Sequence, residues 1–502
     1  MLEDTIAAIA TPVGEGGLAV VRLSGPQALA VADRSFRPVG RNSAKPSAAA
    51  THTIQYGKIV RQGQEVDEVL LAVLRGPRTF TREDTVEITC HGGLLPAKLV
   101  LDTLLENGAR PAEPGEFTRR AFLNGRIDLA QAEAVADLIH SRTELALAAA
   151  NEQLAGKLSQ RINQLRDQLM QTLAHVEAHI DFPDEDIAPD TKAQLLQRLE
   201  QGVAFMDELL RTANEGQILR RGVRAAIVGR PNAGKSSLLN RLLGHDRAIV
   251  SPIPGTTRDT IEETANIRGL PVVFIDTAGF REGRDEIERE GVRRSRESLA
   301  RAEFILHVLD ASEPLTEADE KYLAEFAGKR RILVRNKMDL PQKLNWSPGS
   351  TGGASAEASE RRPVPASRTS PSGPGGAVSS RAAAGGDALQ PAPSVSTPPV
   401  VDVSCLSGQG IEALKDAIKA LVWSGELGAG RWEVMINSRH QDALNRARAA
   451  AQRTMDALRA DATLELVAMD LRIAVNAVGE IVGKTATEDL LDSIFSQFCL
   501  GK

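Results

Sequence analysis

Residues 229–240 read GRPNAGKSSLLN and match the phosphate-binding loop pattern G-x-x-x-x-G-K-[ST]. The short apolar stretch VRAAIVG precedes this loop, and SLLNRLLG within and after it has the pattern of a helix start. A loop between a strand and a helix N-terminus directs backbone N–H groups toward a bound anion. The sequence therefore predicts a diphosphate site, with Lys235 as a point charge and the Ser236 hydroxyl as a Mg²⁺ ligand.

Three further motifs follow at the distances expected of a GTP-binding domain. PGTTRD at 254–259 supplies a threonine pair for Mg²⁺ and the γ-phosphate, and DTAG at 276–279 follows the apolar run PVVFI. NKMD at 336–339 follows the run RILVR. A purely structural glycine loop is the alternative, and it does not explain the three later motifs.

Asn336, Lys337 and Asp339 are predicted to select the base. The Asp339 carboxylate would accept hydrogen bonds from the N1–H and 2-amino groups of guanine, and adenine would leave it buried and unpaired. The remaining guanine loop is predicted after VVDV, at Ser404 to Leu406, although it departs from the usual Ser-Ala-Lys/Arg. The predicted GTP contacts are Asn232, Ala233, Gly234, Lys235, Ser236, Ser237, Ser251, Pro252, Ile253, Pro254, Gly255, Thr256, Thr257, Asp276, Thr277, Ala278, Gly279, Asn336, Lys337, Asp339, Ser404, Cys405 and Leu406.

Length and composition predict a multidomain cytoplasmic protein. The chain has 502 residues, a net charge of −6, 42% hydrophobic and 25% charged residues, and no apolar run of membrane-spanning length. Its N-terminus, MLEDTIAAIATP, carries acidic residues where a signal peptide carries basic ones. Three scattered cysteines indicate neither a disulfide framework nor a zinc site. With 3% aromatic residues and an acidic balance, we expect weak RNA binding without a partner.

The hydrophobic pattern divides the chain into an α+β region and helical segments around the GTPase. Residues 1–118 contain strand patterns in GGLAVVRLSG, YGKIV, EVDEVLLAVL and TVEITCHGG, and a helix pattern in LLPAKLVLDTLLENGA. A capping box at Asp128 and Gln131 predicts the start of a long helix, and helical patterns follow over 157–181 and 191–213. After the GTPase, Thr485 and Glu488 predict a cap for the last helix, and an apolar seam precedes it at Leu464, Val467, Leu471, Ala474, Val478 and Ile481.

The helical segments 119–216 and 426–502 are predicted to form one domain that the GTPase, residues 217–425, interrupts. Two separate bundles would give the same pattern and remain an alternative. Within the GTPase, 41 of the 53 residues in 347–399 are Gly, Pro, Ser, Ala or Thr. This composition predicts a disordered insert, because it cannot bury enough apolar surface to offset the entropy of ordering. A binding tail is the alternative interpretation of the insert.

The chain resembles the tRNA modification GTPase family called MnmE or TrmE. The resemblance rests on the phosphate-binding loop, GTTRD, and five further strings: DTIAAIATP, FTREDTVEITCHGG, RPAEPGEFTRRAFLNGRIDLAQAEAVADLI, HIDFPDEDI and FSQFCLGK. It implies a homodimer with an N-terminal folate-binding α+β domain and a helical domain interrupted by a P-loop, Ras-like GTPase. It also implies a heterotetramer with the FAD-containing flavoprotein MnmG (GidA). This assembly would place an aminomethyl or carboxymethylaminomethyl group on the wobble uridine of certain tRNAs, using a tetrahydrofolate derivative.

The resemblance also implies how GTP is hydrolysed. Phe280 follows DTAG and cannot orient water as a glutamine does in other GTPases. The family implies that Glu288 acts on the water, although the surrounding REGRDEIEREG is equally typical of a solvated charged surface. It further implies K⁺ as the charge-stabilising cation when two GTPase domains meet. The implied ligands are Ser236 and Thr257 for Mg²⁺, and Asn232, Ser251, Thr256 and the Ile253 carbonyl for K⁺.

The resemblance places the folate site at Arg22, Glu87, Arg126 and Lys502, and a functional thiol at Cys499. Each of the four charged residues, taken alone, is typical of an exposed surface charge. At the position of Arg126 the family often has lysine. Cys499 could equally be a small apolar residue beside Phe495 and Phe498, and a helix C-terminus disfavours its thiolate. Cys90 and Cys405 are interpreted as structural.

Two other functions fit parts of the sequence. An Era-type ribosome-assembly switch needs only the GTPase, and residues 1–118 and the FCLGK string argue against it. A scaffold whose GTPase controls dimerisation is the other alternative.

Overall fold

A computed structural model describes residues 4–40, 44–181, 192–244, 263–275, 301–346, 398–423 and 435–502. The chain forms two compact units. The first comprises Met1–Arg224, Leu242–Arg301 and Lys419–Lys502, and the second comprises Ala225–Arg241 and Ala302–Ile418. The predicted domain boundaries stay predictions, and the predicted insert lies outside the described residues except for Pro398 and Pro399.

The described part of the first unit begins with a seven-stranded sheet in the order β3-β4-β5-β6-β2-β1-β7. Alternating apolar residues place one face of this sheet against the two helices, α1 (Ala28–Ser35) and α2 (Leu94–Glu106), and the shared core includes Val21, Leu71, Ile88 and Val100. The predicted pair of strands, β4 and β5, is confirmed as antiparallel. The strands are β1 (Ile6–Ile9), β2 (Leu18–Ser24), β3 (Phe36–Pro38), β4 (Thr53–Arg61), β5 (Gln64–Leu74), β6 (Thr85–His91) and β7 (Arg110–Pro111).

Helices then continue the first unit. They are α3 (Glu116–Leu123), α4 (Leu129–His140), α5 (Glu144–Leu154), α6 (Lys157–Asp181), α7 (Lys192–Arg211) and α8 (Ala213–Arg221). The capping box of Asp128 and Gln131 at the start of α4 is confirmed. The prediction of a long helix there is wrong, because Ser141 is extended and Thr143 caps a new helix.

The second unit contains a parallel arrangement of strands. Its strands are β8 (Val223–Val228), β11 (Phe304–Asp310), β12 (Arg331–Asn336) and β13 (Val400–Asp402), where β8 belongs to this unit from Ala225 onward. All seven residues of β11 are buried, as expected for the centre of a parallel sheet. Its helices are α9 (Lys235–Leu243), which belongs to this unit as far as Arg241, α10 (Glu317–Glu325), and α11 (Ile411–Val422), which belongs to it as far as Ile418. An antiparallel hairpin of β9 (Glu263–Ile267) and β10 (Leu270–Phe274) is grouped with the first unit.

Three C-terminal helices complete the first unit: α12 (Ser438–Arg459), α13 (Leu464–Val482) and α14 (Glu488–Phe495). Apolar residues of α6, α7, α12 and α13 form one core, in which Leu165, Leu199, Leu444 and Leu471 are nearly or fully buried. The helical segments before and after the second unit therefore pack together. The prediction that Thr485 caps the last helix is wrong. Thr487 accepts the capping bond from Leu490 N, and the Thr485 hydroxyl donates to the Asn476 carbonyl at 2.7 Å.

No helix in the described parts of the chain combines the length and the apolar character needed to span a bilayer.

Candidate functional site

The phosphate-binding loop connects β8 to the N-terminus of α9, as the sequence predicts. Gly229 and Gly234 adopt φ values of +145° and +96°, which favour glycine, and Asn232 adopts +63°. A side chain at Gly234 would collide with the Asn336 carboxamide. The loop is therefore closed against the end of β12.

Lys235 lies at the first position of α9, with its ammonium turned back toward the loop. Its Nζ donates to the carbonyl oxygens of Gly229 and Arg230, both at 2.8 Å. Burial lowers the pKa of Lys235. The two carbonyls hold one positive charge inside a loop of backbone N–H groups, which is the arrangement that binds a phosphate chain.

Asn336 joins the phosphate-binding loop to the predicted guanine loops. It ends β12 and is 2% exposed. Its Nδ2 donates to the Ala233 carbonyl at 2.9 Å, and its Oδ1 accepts from Cys405 N at 3.3 Å. One carboxamide therefore bonds two of the motifs that the sequence predicts to meet.

Lys337 is held by an acid that the sequence reasoning missed. Its Nζ donates to Asp310 Oδ2 at 2.6 Å, and Asp310 is 4% exposed. Burial raises the pKa of the Asp310 carboxyl, but its bonds with Lys337 and Ser312 outweigh burial and leave the pKa lowered. The signal was available in the sequence, since FILHVLD ends on this aspartate and polar ends of parallel strands meet at one sheet edge.

Asp339 and Ser404 also meet. The Ser404 hydroxyl donates to Asp339 Oδ1 at 2.5 Å. The guanidinium of Arg241 donates to the carbonyl oxygens of Cys405 and Leu406, each at 2.8 Å, and Leu406 is 80% exposed. Arg241 thus fixes the backbone of a loop whose side chains depart from the usual sequence.

The remaining predicted GTPase residues lie outside the described residues. They are Glu288, Ser251, Pro252, Ile253, Pro254, Gly255, Thr256, Thr257, Asp276, Thr277, Ala278 and Gly279. Of the implied metal ligands, Asn232 for K⁺ and Ser236 for Mg²⁺ are described. Both supply oxygen donors at the phosphate-binding loop, which suits hard cations.

A second cluster of charges forms on the N-terminal sheet. Arg22 on β2 lies directly opposite Glu87 on β6, and its Nε donates to Glu87 Oε1 at 2.9 Å. Arg22 also lies over the ring of Phe117, 5.6 Å from its centroid. Two of the four predicted folate residues are therefore an ion pair.

The C-terminal residues lie against this ion pair. Arg22 Nη1 donates to the Gly501 carbonyl at 3.2 Å, and Phe117 N donates to the Lys502 carbonyl at 3.2 Å. Burial and the charge of Arg22 lower the pKa of Lys502, while Glu87 acts in the opposite direction. The structure thus brings Lys502 to Arg22 and Glu87, and their role in binding a folate stays a prediction.

Arg126 lies in the same neighbourhood through aromatic packing. Its guanidinium lies over the Phe80 ring, 5.8 Å from the centroid, and donates to the Thr79 carbonyl at 3.2 Å. Phe80 packs against the buried cluster that contains Phe117. Two arginines are therefore positioned by adjoining aromatic side chains.

The three cysteines differ in exposure. Cys499 is exposed, so the interpretation of this residue as a buried apolar side chain is wrong. Its carbonyl accepts from Gly115 N at 3.5 Å, which holds the tail near α3. Cys90 is buried and Cys405 is half-buried, and burial raises the pKa of each thiol to about 11.

Comparison with known proteins identifies the family of the chain. The model of the MnmE helical domain matches residues 129–499, and that of the GTP-binding protein TrmE N-terminus matches residues 5–126. The tRNA modification GTPase MnmE of Geobacillus kaustophilus is 46% identical over 99% of each chain. The chain belongs to the MnmE family. The MnmE of Listeria innocua is 44% identical, also over 99% of each chain.

A solved structure is also similar to this MnmE-family chain over a shorter range. A variant of Era from Aquifex aeolicus, in a crystal structure with GDP and AlF4⁻ bound, is 26% identical. The match covers 45% of this chain and 66% of that chain, with a TM-score of 0.24.

In this MnmE-family chain, a buried charge network that the sequence reasoning missed joins α3 to Asp4 before β1 and to Arg110 on β7. Arg120 on α3 is fully buried, and its Nη2 donates to Asp4 at 2.8 Å and to Glu116 at 2.9 Å. Arg110 bonds the same two acids. The run RPAEPGEFTRR contained the signal, but only the fold shows that these charges face one another rather than solvent.

Proposed function

We propose that this chain is a potassium-activated GTPase that modifies the wobble uridine of certain tRNAs together with a flavin-dependent partner. The coarser statement, a GTPase coupled to tRNA modification, follows from membership of a family whose relatives carry that name. The finer reaction adds an aminomethyl or carboxymethylaminomethyl group to C5 of the uridine, with a one-carbon unit from a tetrahydrofolate derivative. The working form is a cytoplasmic homodimer in complex with the flavoprotein MnmG.

The contact of Arg22 with both Glu87 and the Gly501 carbonyl carries this proposal. It holds the segment that bears the exposed Cys499 beside charged groups on the N-terminal sheet. Three cationic groups, those of Arg22, Arg126 and Lys502, and the Glu87 carboxylate suit a ligand with a polar ring and an anionic tail. An Era-type switch has no use for such a site, so this contact favours one-carbon chemistry over the switch.

The nucleotide loops supply the other half of the proposed function. Lys235 and the backbone of 229–235 would hold the phosphates, and Asp339 would bind the guanine edge. Mg²⁺ bound by Ser236 and Thr257 would neutralise phosphate charge. K⁺ would be bound through Asn232, Ser251, Thr256 and the Ile253 carbonyl, and Glu288 would act on water. These roles predict hydrolysis that K⁺ stimulates much more than Na⁺ does, because the cation must fit ligands that replace its water shell.

The direct test is Cys499→Ser in the full chain with its flavin partner, GTP, a folate and tRNA. We expect mass spectrometry of the tRNA to show loss of the modified uridine, while the rate of GTP hydrolysis is unchanged. Cys90→Ser is the matched control for modification, because that thiol lies outside both candidate sites and its Sγ donates to the Ala19 carbonyl, a bond that a serine hydroxyl can also make. Normal modification by Cys499→Ser would remove the thiol from the proposal. Unmodified tRNA from the wild-type assembly would overturn the reaction itself.

A further inference from the structure

Asp310 lies between two loops that we assign to the nucleotide, although none of the predicted nucleotide motifs contains it. It ends β11, which has β8 and β12 as parallel neighbours, and it is 4% exposed. Its Oδ2 accepts from Lys337 Nζ at 2.6 Å and lies 3.6 Å from Nη2 of Arg230 in the phosphate-binding loop. One buried carboxylate therefore faces a cation from each loop.

The orientation of this carboxylate is fixed by its other oxygen. Oδ1 of Asp310 accepts from Ser312 N at 3.0 Å and from Ser312 Oγ at 2.6 Å. Arg230 is shared with a second acid, since its Nη2 lies 2.5 Å from Glu313 Oε2. Among the described residues, Asp310 is the one acid within ion-pair distance of Lys337. The pair of Asp310 and Lys337 is therefore the stronger of the two contacts that Oδ2 makes with cations.

Lys337 has a backbone conformation that few residues other than glycine adopt. Its φ is +66°, in the left-handed region where a Cβ crowds the neighbouring carbonyl oxygen. The turn that begins at Lys337 is closed by a bond from Leu340 N to the Lys337 carbonyl at 3.0 Å. The backbone at this lysine is therefore strained, and the bond of its side chain with Asp310 stabilises the strained conformation.

The same turn sets the directions of the two predicted base-selecting residues on either side of Lys337. Asn336 donates to the Ala233 carbonyl of the phosphate-binding loop, whereas Asp339 accepts from the Ser404 hydroxyl. Because the left-handed residue lies between them, a change of φ at Lys337 would turn Asp339 away from its present direction relative to Asn336. The ion pair of Lys337 thus helps to direct the carboxylate that would bind guanine.

We propose that Asp310 is a positioning residue for guanine recognition. It acts through Lys337, whose strained turn it stabilises, and so keeps Asp339 directed at the N1–H and 2-amino groups of the base. This inference rests on the proposed binding of guanine by Asp339 and adds a residue from outside the motifs. The alternative is a purely structural role in β11, which predicts no dependence on the base or on Lys337.

A comparison of GDP with IDP isolates the contact with the base, because IDP differs from GDP only in lacking the 2-amino group. We expect the wild-type chain to bind GDP about tenfold more tightly than IDP. Asp310→Asn keeps an oxygen for Ser312 but presents an amide to Lys337, and we expect the ratio to fall to about two. Calorimetry of the full chain with Mg²⁺ measures both affinities, and circular dichroism checks that the variant is folded.

A second pair of variants tests whether Asp310 acts through Lys337. Glycine adopts a positive φ readily, so the turn in Lys337→Gly should no longer need the ion pair. In that background we expect Asp310→Asn to leave the ratio of GDP to IDP affinity unchanged, whereas alone it lowers the ratio about fivefold. If Asp310→Asn alone does not fold, the Lys337→Gly background still decides, because a lower ratio in the double variant would contradict a role through Lys337.

Asp402→Asn is the matched control. Asp402 also pairs with a cation of β12, since it accepts from Arg335 at 2.5 and 2.6 Å. Its ratio of GDP to IDP affinity should equal that of the wild type. A wild-type ratio in Asp310→Asn, or an equal fall of the ratio with and without Lys337, would overturn the proposal.

Asp339→Asn separates this inference from the proposed base contact on which it rests. We expect this variant to lose most of the preference for GDP over IDP. If the wild type has no preference, or if Asp339→Asn keeps it, the proposed role of Asp339 is wrong and the inference fails with it. If Asp339→Asn loses the preference and Asp310→Asn keeps it, only the inference about Asp310 is wrong.

Discussion

The nucleotide loops of the second unit and the charge cluster around Arg22 in the first unit differ in how far apart their residues lie in the sequence. Asn336, Lys337 and Asp339 lie within four consecutive positions at the end of β12, and the partner of Lys337, Asp310, ends the neighbouring parallel strand β11. Arg22 and Gly501 are separated by 479 positions. A site made of contiguous loops keeps its geometry through local backbone, whereas the Arg22 cluster depends on the docking of a distant segment.

The largest expected effect is at the contiguous site. Asp339→Asn exchanges a carboxylate that would accept two guanine hydrogen bonds for a carboxamide, so we expect about a hundredfold loss of GTP affinity, or about 3 kcal/mol. Equilibrium binding of a fluorescent GTP analogue measures it. Asp402→Asn is the control, because it removes a carboxylate of the same unit that pairs with Arg335 instead. Unchanged affinity in Asp339→Asn would mean that the loop does not read the base.

A buried histidine on β11 makes the stability of the second unit depend on pH. His307 on β11 is fully buried, and neither ring nitrogen has a partner in the described structure. Burial, with a smaller effect of Arg331, lowers its pKa from 6.5 to about 4, and Asp319 acts in the opposite direction. The folded state therefore binds this proton less tightly than the unfolded state. The stability contribution is complete above pH 6.5 and is lost as the pH falls toward 4.

The substitution His307→Leu should abolish this loss of folding stability at low pH, because leucine does not titrate. At about pH 4.5 we expect the variant to gain about 2 kcal/mol of unfolding free energy relative to the wild type, beyond any difference seen at about pH 7.5. Urea denaturation at the two pH values measures the change. The control is His52→Asn, because His52 is exposed and its positive φ suits asparagine. A constant difference between His307→Leu and wild type across this range would contradict the assigned protonation.

The smallest expected effect tests the docked tail. Gly501 adopts a φ of +87°, and a Cβ there would lie 2.6 Å from the Ile9 carbonyl oxygen and 2.8 Å from the Ala10 Cα. Gly501→Ala should displace the tail and lower tRNA modification about tenfold, with GTP hydrolysis unchanged. Gly63→Ala is matched in φ, at +82°, but its Cβ would meet nothing within 4 Å. Equal modification by the two variants would show that the tail does not need this contact.

The sequence predicts most of the fold where a local pattern decides the structure. The strand pair β4 and β5, the cap at Asp128 and the helix over 157–181 all follow from spacing and are confirmed. The wrong prediction of a helix cap occurs where the side chain makes a different contact. The Thr485 hydroxyl donates to the Asn476 carbonyl instead of capping the last helix.

The residues of the candidate sites also fall into two groups, those that a local motif locates and those that only the tertiary structure brings together. The motifs locate Lys235, Asn336 and Asp339, but pattern alone could not show that Asp310 holds Lys337. The meeting of Arg22 with the C-terminal residues came only from resemblance, because no periodicity links positions so far apart. The exposure of Cys499 also depends on tertiary packing. Its apolar sequence neighbours, Phe495 and Phe498, suggested a buried side chain instead.

The shared core of α6, α7, α12 and α13 has a consequence for synthesis on the ribosome. Leu165 and Leu199 emerge well before Leu444 and Leu471, with the second unit between them. At roughly 5–20 residues per second, the early helices would wait on the order of ten seconds or more for the surfaces that cover them. During that interval the apolar faces of α6 and α7 are exposed to solvent. Newly made chains should therefore depend on chaperones until α13 has been translated.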